Sequence, residues 1–232
     1  MWQTVKNDYK EFYSLNRLKW MAGSIGIGAA LANTSADESF QNWYQTDVRS
    51  TGTDDFTDAV KNFGDYKYVL PTILTATIIG SFLEDNAGVN SAGEWGKRTI
   101  RAYILGTPML WASQRVIGAS RPEENRGANW RPFDDSNGAS GHAFTGAVPF
   151  LTLARMNDDN KFLKYFFYAA STLTAVSRII DDSHFLSQSA IGWYIAWEAT
   201  DTISDRERAE RNITMNPMMI PDGYEVQVGM VW

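Results

Sequence analysis

A chain of 232 residues, 44% apolar and 13% aromatic, can bury one sizeable core, so one domain, or one domain with an appendage, is expected. A formal net charge of −6 without any basic run argues against a nucleic-acid partner. Cysteine is absent and histidine occurs twice, so there is no disulfide framework and no thiolate metal site, and a zinc or iron site of the usual histidine-rich kind would have to be completed by carboxylates.

Taken in chain order, the pattern is helical almost throughout. Met1–Tyr13 reads as a peripheral amphipathic lead-in, and Ser14 as the N-cap of a helix reaching Ala32. Arg17 and Lys19 before the apolar run Met21–Ala32 mimic a secretory leader, but a charged, aromatic segment precedes them. The run reads as a core helix in which Gly23, Gly26 and Ala30 allow close packing; a signal or membrane anchor is the alternative. Asn33–Gly64 is polar, with a short helix over Asp54–Phe63 and with Trp43 and Tyr44 anchoring this layer on the core. Tyr68–Leu83 is helical with Pro71 in its first turn, and Glu84–Gly93 is a loop. Glu94–Ala119 is a long helix, bent or interrupted around Gly106 and Pro108.

After the polar loop Ser120–Gly138, a helix over Ser140–Met156 carries a kink at Pro149, and Asn157–Asn160 makes a turn. Lys161–Ile180 and Ser183–Thr200 are two further apolar helices. The uncharged stretches Trp20–Ala36, Tyr68–Leu83, Ser136–Ala154 and Ser183–Trp197 fall short of the ~20 apolar residues of a membrane span, and they read as buried helices of a bundle. The fold class is therefore all-α. Beyond the charged run Asp205–Arg211, Tyr224–Trp232 alternates apolar and polar residues as a strand does. This short extended C-terminal tail either packs along the domain or adds to the sheet edge of a partner. Three parts follow: a helical lead-in over residues 1–66, a helical core over 67–212 and the tail over 213–232.

Both histidines lie in short polar segments, Asn137-Gly138-Ala139-Ser140-Gly141-His142 and Ser177-Arg178-Ile179-Ile180-Asp181-Asp182-Ser183-His184-Phe185-Leu186-Ser187-Gln188. The first N–H groups of a helix opening at Ser140 have no internal partner, and the dipole draws anions to that end. Ser140 adds a hydroxyl, Gly141 lets the backbone come close, and His142 can give a proton. Arg121 and Arg178 each stand at a helix end, and their guanidinium forks converging there would hold a tetrahedral oxyanion. Gln188 shares a helical face with His184, so it can bind one imidazole nitrogen and leave the other free to attack. Singly, each residue has a plainer role, as solvated arginine, packed histidine or serine cap. Their order is what carries a chemical reading.

That order resembles the type 2 phosphatidic acid phosphatase superfamily, which includes soluble bacterial acid phosphatases and vanadium-dependent haloperoxidases. The family's signature is Lys-x6-Arg-Pro, Pro-Ser-Gly-His and Ser-Arg-x5-His-x3-Asp. Here the blocks are Gln114-x6-Arg121-Pro122, Ala139-Ser140-Gly141-His142 and Ser177-Arg178-x5-His184-x3-Gln188. The resemblance implies an all-α bundle in which His184 attacks phosphorus and His142 protonates the leaving alkoxide. Arg121, Arg178, Ser140 and Gly141 would hold the phosphoryl oxygens, with Gln114 at the remaining phosphate-binding position and no metal required.

Three positions depart from the signature. Ala139 for Pro changes loop stiffness only. Gln114 for Lys removes a positive charge, and Arg115 stands about 100° out of phase with it on a helix. Gln188 for Asp removes the negative charge behind the nucleophile; in serine proteases the corresponding Asp→Asn change costs about 10⁴ in rate. Asp181 and Asp182 could compensate, or could simply cap the preceding helix. The function implied is a phosphatase acting on phosphate monoesters, small or lipid. The alternative is a family member with weakened catalysis kept as a structural or partner-binding subunit, and a third reading, vanadate-dependent haloperoxidase, is disfavoured by the missing Lys. The family resemblance also implies a periplasmic or envelope location, where the strand-like tail would meet a membrane surface or an envelope protein. Trp2, Met215, Met218 and Met219 are the apolar surface candidates.

Overall fold

The core of the computed structural model, which describes residues 2–83, 87–220 and 223–230, forms where α7 (Gly141–Met156) is enclosed by α6 (Ala87–Ile117) and α10 (Leu186–Asn212). Small residues alternate with large ones along α7, and Phe144, Val148 and Leu151 are fully buried between Ala143, Ala147 and Ala154. From α10 the ridge Ile191, Ile195, Ala199 and Ile203, spaced at four residues, enters the same core. Leu105 and Leu110 of α6 complete it. The fold class is the all-α bundle that the helical periodicity implies.

Around this centre lie α1 (Trp2–Phe12), α2 (Leu15–Ala32), α3 (Ala36–Trp43), a π turn (Tyr44–Val48), α4 (Thr51–Val60), a 3₁₀ turn (Lys61–Gly64) and α5 (Tyr66–Phe82). Ser14 caps α2, accepting from the Arg17 N–H. The first two helices are fastened by charge. Buried Asp8 of α1 accepts from Arg101 Nε at 2.7 Å and from Arg206 Nε at 2.7 Å. Arg17 of α2 reaches Glu198, Asp201 and Asp205. These pairs account for α10 running past Thr200 to Asn212, because its charged last turns have partners on the first two helices.

Several expectations need correction. α2 is a peripheral helix: Met21, Gly28 and Ala32 form its buried stripe, while Gly23 and Gly26 have nothing within 4 Å and Ala30 is exposed. The close approach is at Gly28, where a Cβ would stand 2.7 Å from Ile191 Cδ1. α5 is likewise peripheral, burying Ile73 and Gly80 and exposing Leu74, Ile78 and Phe82. It begins at Tyr66, capped by Asp65, so Pro71 falls in the second turn. Of the expected loop over residues 84–93, positions 84–86 lie outside the described residues, and from Ala87 the chain is already α6. There a Cβ on Gly93 would stand 2.8 Å from Gly80 Cα, so backbone packing against α5 overrides the poor helix propensity of a Gly-, Asn- and Ser-rich run. α6 and α7 run through Pro108 and Pro149 without ending.

The apolar run over residues 161–180 is two helices, α8 (Lys161–Ser171) and α9 (Leu173–Ile180). At the break the Thr172 hydroxyl donates to Ala169 O at 2.8 Å and Ser171 Oγ to Tyr168 O at 2.6 Å, side chains competing for helix carbonyls. Trp43 is no core anchor: it is exposed and packs on Phe40, while Asp37 and Gln41 of the same helix are buried. The tail is extended as expected but folds on itself, with β1 (Ile213–Ile220) antiparallel to β2 (Gly223–Met230) and Ile213 opposite Met230. The end of the expected strand, Val231 and Trp232, lies outside the described residues. Trp2 is exposed; the side chains of Met215, Met218 and Met219 lie outside the described part. No helix among the described residues is long and apolar enough to cross a membrane.

Candidate active site

The connection from α9 to α10 holds the first histidine. Asp182 takes a left-handed conformation at φ 59°, and the chain turns back so that Ser183 N–H and His184 N–H donate to the Arg178 carbonyl at 3.0 and 3.1 Å. Phe185 then precedes α10 and has no side-chain acceptor with which to cap it. Gln188, three residues on, supplies the return half of a capping box: its Oε1 accepts from Phe185 N–H at 3.1 Å. The same oxygen lies 2.9 Å from His184 Nδ1, and the amide Nε2 donates to the Ser120 carbonyl at 2.6 Å.

These neighbours are one-sided, which fixes the chemistry. A peptide N–H only donates and a carbonyl only accepts, so the Gln188 amide has one possible orientation. Its oxygen faces His184, so Nδ1 carries the hydrogen and Nε2 keeps its lone pair. Burial, opposed by the Gln188 hydrogen bond and reinforced by Arg121 and Arg178, lowers the His184 pKa to about 3. The ring is therefore neutral at physiological pH, the state in which Nε2 is nucleophilic.

α7 brings the second cluster. Ser140 is its N-cap, accepting from Ala143 N–H at 3.3 Å, and its own N–H donates to the Gln188 carbonyl at 2.9 Å. The helix start is thus tied to the His184 segment by main chain. Gly192 of α10 permits this approach, because a Cβ there would collide with the Ser140 carbonyl. His142 follows Gly141 and is open to solvent. Gly64 of the 3₁₀ turn lies against it; a Cβ on Gly64 would be 2.7 Å from the His142 carbonyl oxygen. Desolvation first, and then the cationic Arg178, lower the His142 pKa from 6.5, with Asp65 opposing.

The arginines frame the site. Arg121 is held by Asn137 Oδ1 at 3.1 Å and by Glu123 at 3.2 Å. Arg178 pairs with Asp181 through Nη2, and its Nε is a buried donor without a hydrogen-bond partner. Both cations act on both imidazoles, so the motif blocks, distant in sequence, meet in one place. Gln114 donates to the Ala139 carbonyl at 3.1 Å and bears on the loop before Ser140, whereas Arg115 is exposed. Asp181 is engaged with Arg178, and Asp182 accepts from Gln41 at 2.6 Å, so neither replaces the missing Asp behind His184.

Sequence reasoning did not single out Ser120, Asn137, Gly64, Asp65 or Asp37. Ser120 acts through its carbonyl, which leaves no side-chain signature, and the others stand in polar stretches whose sequence resembles ordinary turns and caps. Among the described residues no three carboxylates or imidazoles gather where they could hold a metal ion. Residues 99–200 match the family model of the PAP2 superfamily. No curated protein and no solved structure matches the chain.

Proposed function

We propose that this chain, whose residues 99–200 match the family model of the PAP2 superfamily, is a phosphatase hydrolysing phosphate monoesters through a phosphohistidine on His184. What carries the reading is the Ser120–Gln188–His184 chain of hydrogen bonds, which leaves Nε2 of a neutral imidazole bare. In the proposed reaction Nε2 attacks phosphorus and an N–P bond forms. The ester P–O bond breaks, its electron pair goes to the leaving oxygen, and His142 gives that oxygen a proton. Water then attacks phosphorus while His142 takes back a proton, the N–P bond breaks, and inorganic phosphate leaves. Arg121, Arg178, Ser140 and the Gly141 N–H hold the phosphoryl oxygens, with the unpartnered Arg178 Nε as a donor to spare. Turnover of a chromogenic phosphomonoester by the purified chain tests this; an inactive wild type would sink it.

A second reading, a weakened member serving as a structural subunit, draws on the uncharged Gln114 and Gln188. It predicts phosphate or vanadate binding without turnover, which separates the two in one titration.

If His142 is the acid, it must carry its proton, and its pKa is held below 6.5. kcat/KM should then fall as pH rises through that depressed pKa, and His184, neutral above about 3, should add no limb from about pH 5 to 8. A profile that climbs to a plateau at alkaline pH would contradict the assignment.

A lipid phosphate is the finer proposal. A groove of about 410 Å³, lined by Phe63, Tyr68, Val69, Trp95, Phe150 and Leu153, begins next to Gly64 and could lodge an alkyl chain. Exposed Trp20, Phe82 and Phe162 would suit an envelope membrane surface on the extracytoplasmic side. Long-chain monoalkyl phosphate should be hydrolysed with a lower KM than a short-chain one, and the chain should fractionate with extracytoplasmic membranes. Equal KM values and recovery in the cytosol would remove both proposals.

A further inference from the structure

We propose that Asp37, Gln41 and Gln45, which lie outside the segment matched to the family, are positioning residues that strap down the connection bearing His184. They recur at intervals of four on α3 and the π turn after it, and so share one face. Asp37 is fully buried, and its Oδ1 accepts from Ser187 N–H at 3.0 Å. Ser187 is the second residue of α10, whose N–H is an orphan donor because Phe185 cannot cap it. Gln41 Nε2 donates to Asp182 Oδ1 at 2.6 Å and to the Ile179 carbonyl at 3.2 Å. Gln45 Nε2 donates to the Ile179 and Ile180 carbonyls at 3.1 and 3.2 Å.

One stripe thus satisfies the last carbonyls of α9 and one orphan N–H in the first turn of α10. Between those two anchor points stand Asp181–Leu186, including the histidine. Arg178, one residue before Ile179, is fixed by the same strap. The connection has few alternatives of its own: its backbone turns through a left-handed Asp182, and it contacts the core through His184 and Phe185. A strap that holds both ends therefore sets where Nε2 points, and a misplacement of about 1 Å at a reacting atom can cost about 100-fold in rate.

The kinetic arm of the test rests on the phosphatase reading; a spectroscopic arm does not. Asp37→Leu removes the acceptor for Ser187 N–H, whereas Asp37→Asn keeps one. Asp37→Leu should lower kcat about 10- to 100-fold with KM for the monoester within about threefold, at a temperature where circular dichroism shows a folded chain. Asp37→Asn should recover most of the loss. With only two histidines, 15N-histidine labelling resolves each ring, and a His142→Ala variant assigns them. His184 should show a protonated Nδ1 and a bare Nε2 in wild type, and a blurred pattern in Asp37→Leu. If Asp37→Leu does not fold, Gln41→Leu and Gln45→Leu are read in the same way. An unchanged kcat, or a loss matched by the unfolded fraction with the nitrogen pattern intact, would overturn the strap. If wild type hydrolyses nothing, the phosphatase reading fails and the nitrogen pattern alone decides the strap.

Discussion

His184→Ala is expected to lower kcat for a chromogenic phosphomonoester by a factor on the order of 10³ or more, because it removes the atom that bonds to phosphorus. The fold should survive. His184 is buried, but Gln188, its ring's partner, keeps two other bonds, accepting from Phe185 N–H and donating to the Ser120 carbonyl. No buried acceptor is orphaned by the change, so the cost is the cavity rather than an unsatisfied polar group. KM should move little, since Arg121, Arg178 and the start of α7 hold the phosphate without the imidazole. A rate equal to that of wild type would end the reading of His184 as nucleophile. A collapse of KM and stability together would mean that the histidine is a structural plug.

The two halves of the site differ in how openly the sequence declares them. Arg121, Ser140, Gly141, His142, Arg178 and His184 are legible because the proposed phosphoryl chemistry calls for those residues and the motif spacing preserves their order. The supports are not legible. Asp37 and Gln41 sit in a polar stretch where ordinary hydrophobic reasoning favours the aromatics, Trp43 and Tyr44, as anchors. The observed arrangement is the reverse, because buried main-chain donors and acceptors at the ends of α9 and α10 need polar partners more than the core needs another ring. The peripheral placement of α2 and α5 is hidden for a related reason. Apolar composition fixes neither depth nor neighbour, and the pattern says only that one stripe, through Met21 and Gly28 or through Ile73 and Gly80, must be covered. The break at Thr172 depends on hydroxyls that bond their own helix, which periodicity cannot see.

Gln188 is where the sequence departs most from the motif it resembles and where a substitution of one atom says most. Gln188→Glu keeps the shape and should destabilise the fold at neutral pH by about 2–3 kcal/mol. One carboxylate oxygen can still accept from His184 and Phe185, but the other replaces Nε2 and faces the Ser120 carbonyl at 2.6 Å with no hydrogen between them. Burial and that carbonyl together would raise the folded-state pKa of the introduced carboxyl above the ordinary glutamate value of about 4.3. The folded chain then binds more protons than the unfolded one in the window between those two values. Stability relative to wild type should consequently be near parity below about pH 4, where the neutral acid donates to Ser120, and should be lost as pH rises through the raised pKa. Urea unfolding of both proteins across that range measures it, and a gap that stays constant with pH would show that the second oxygen has found another donor. Gln188→Asp, shorter by one methylene, withdraws from Ser120 and escapes this clash.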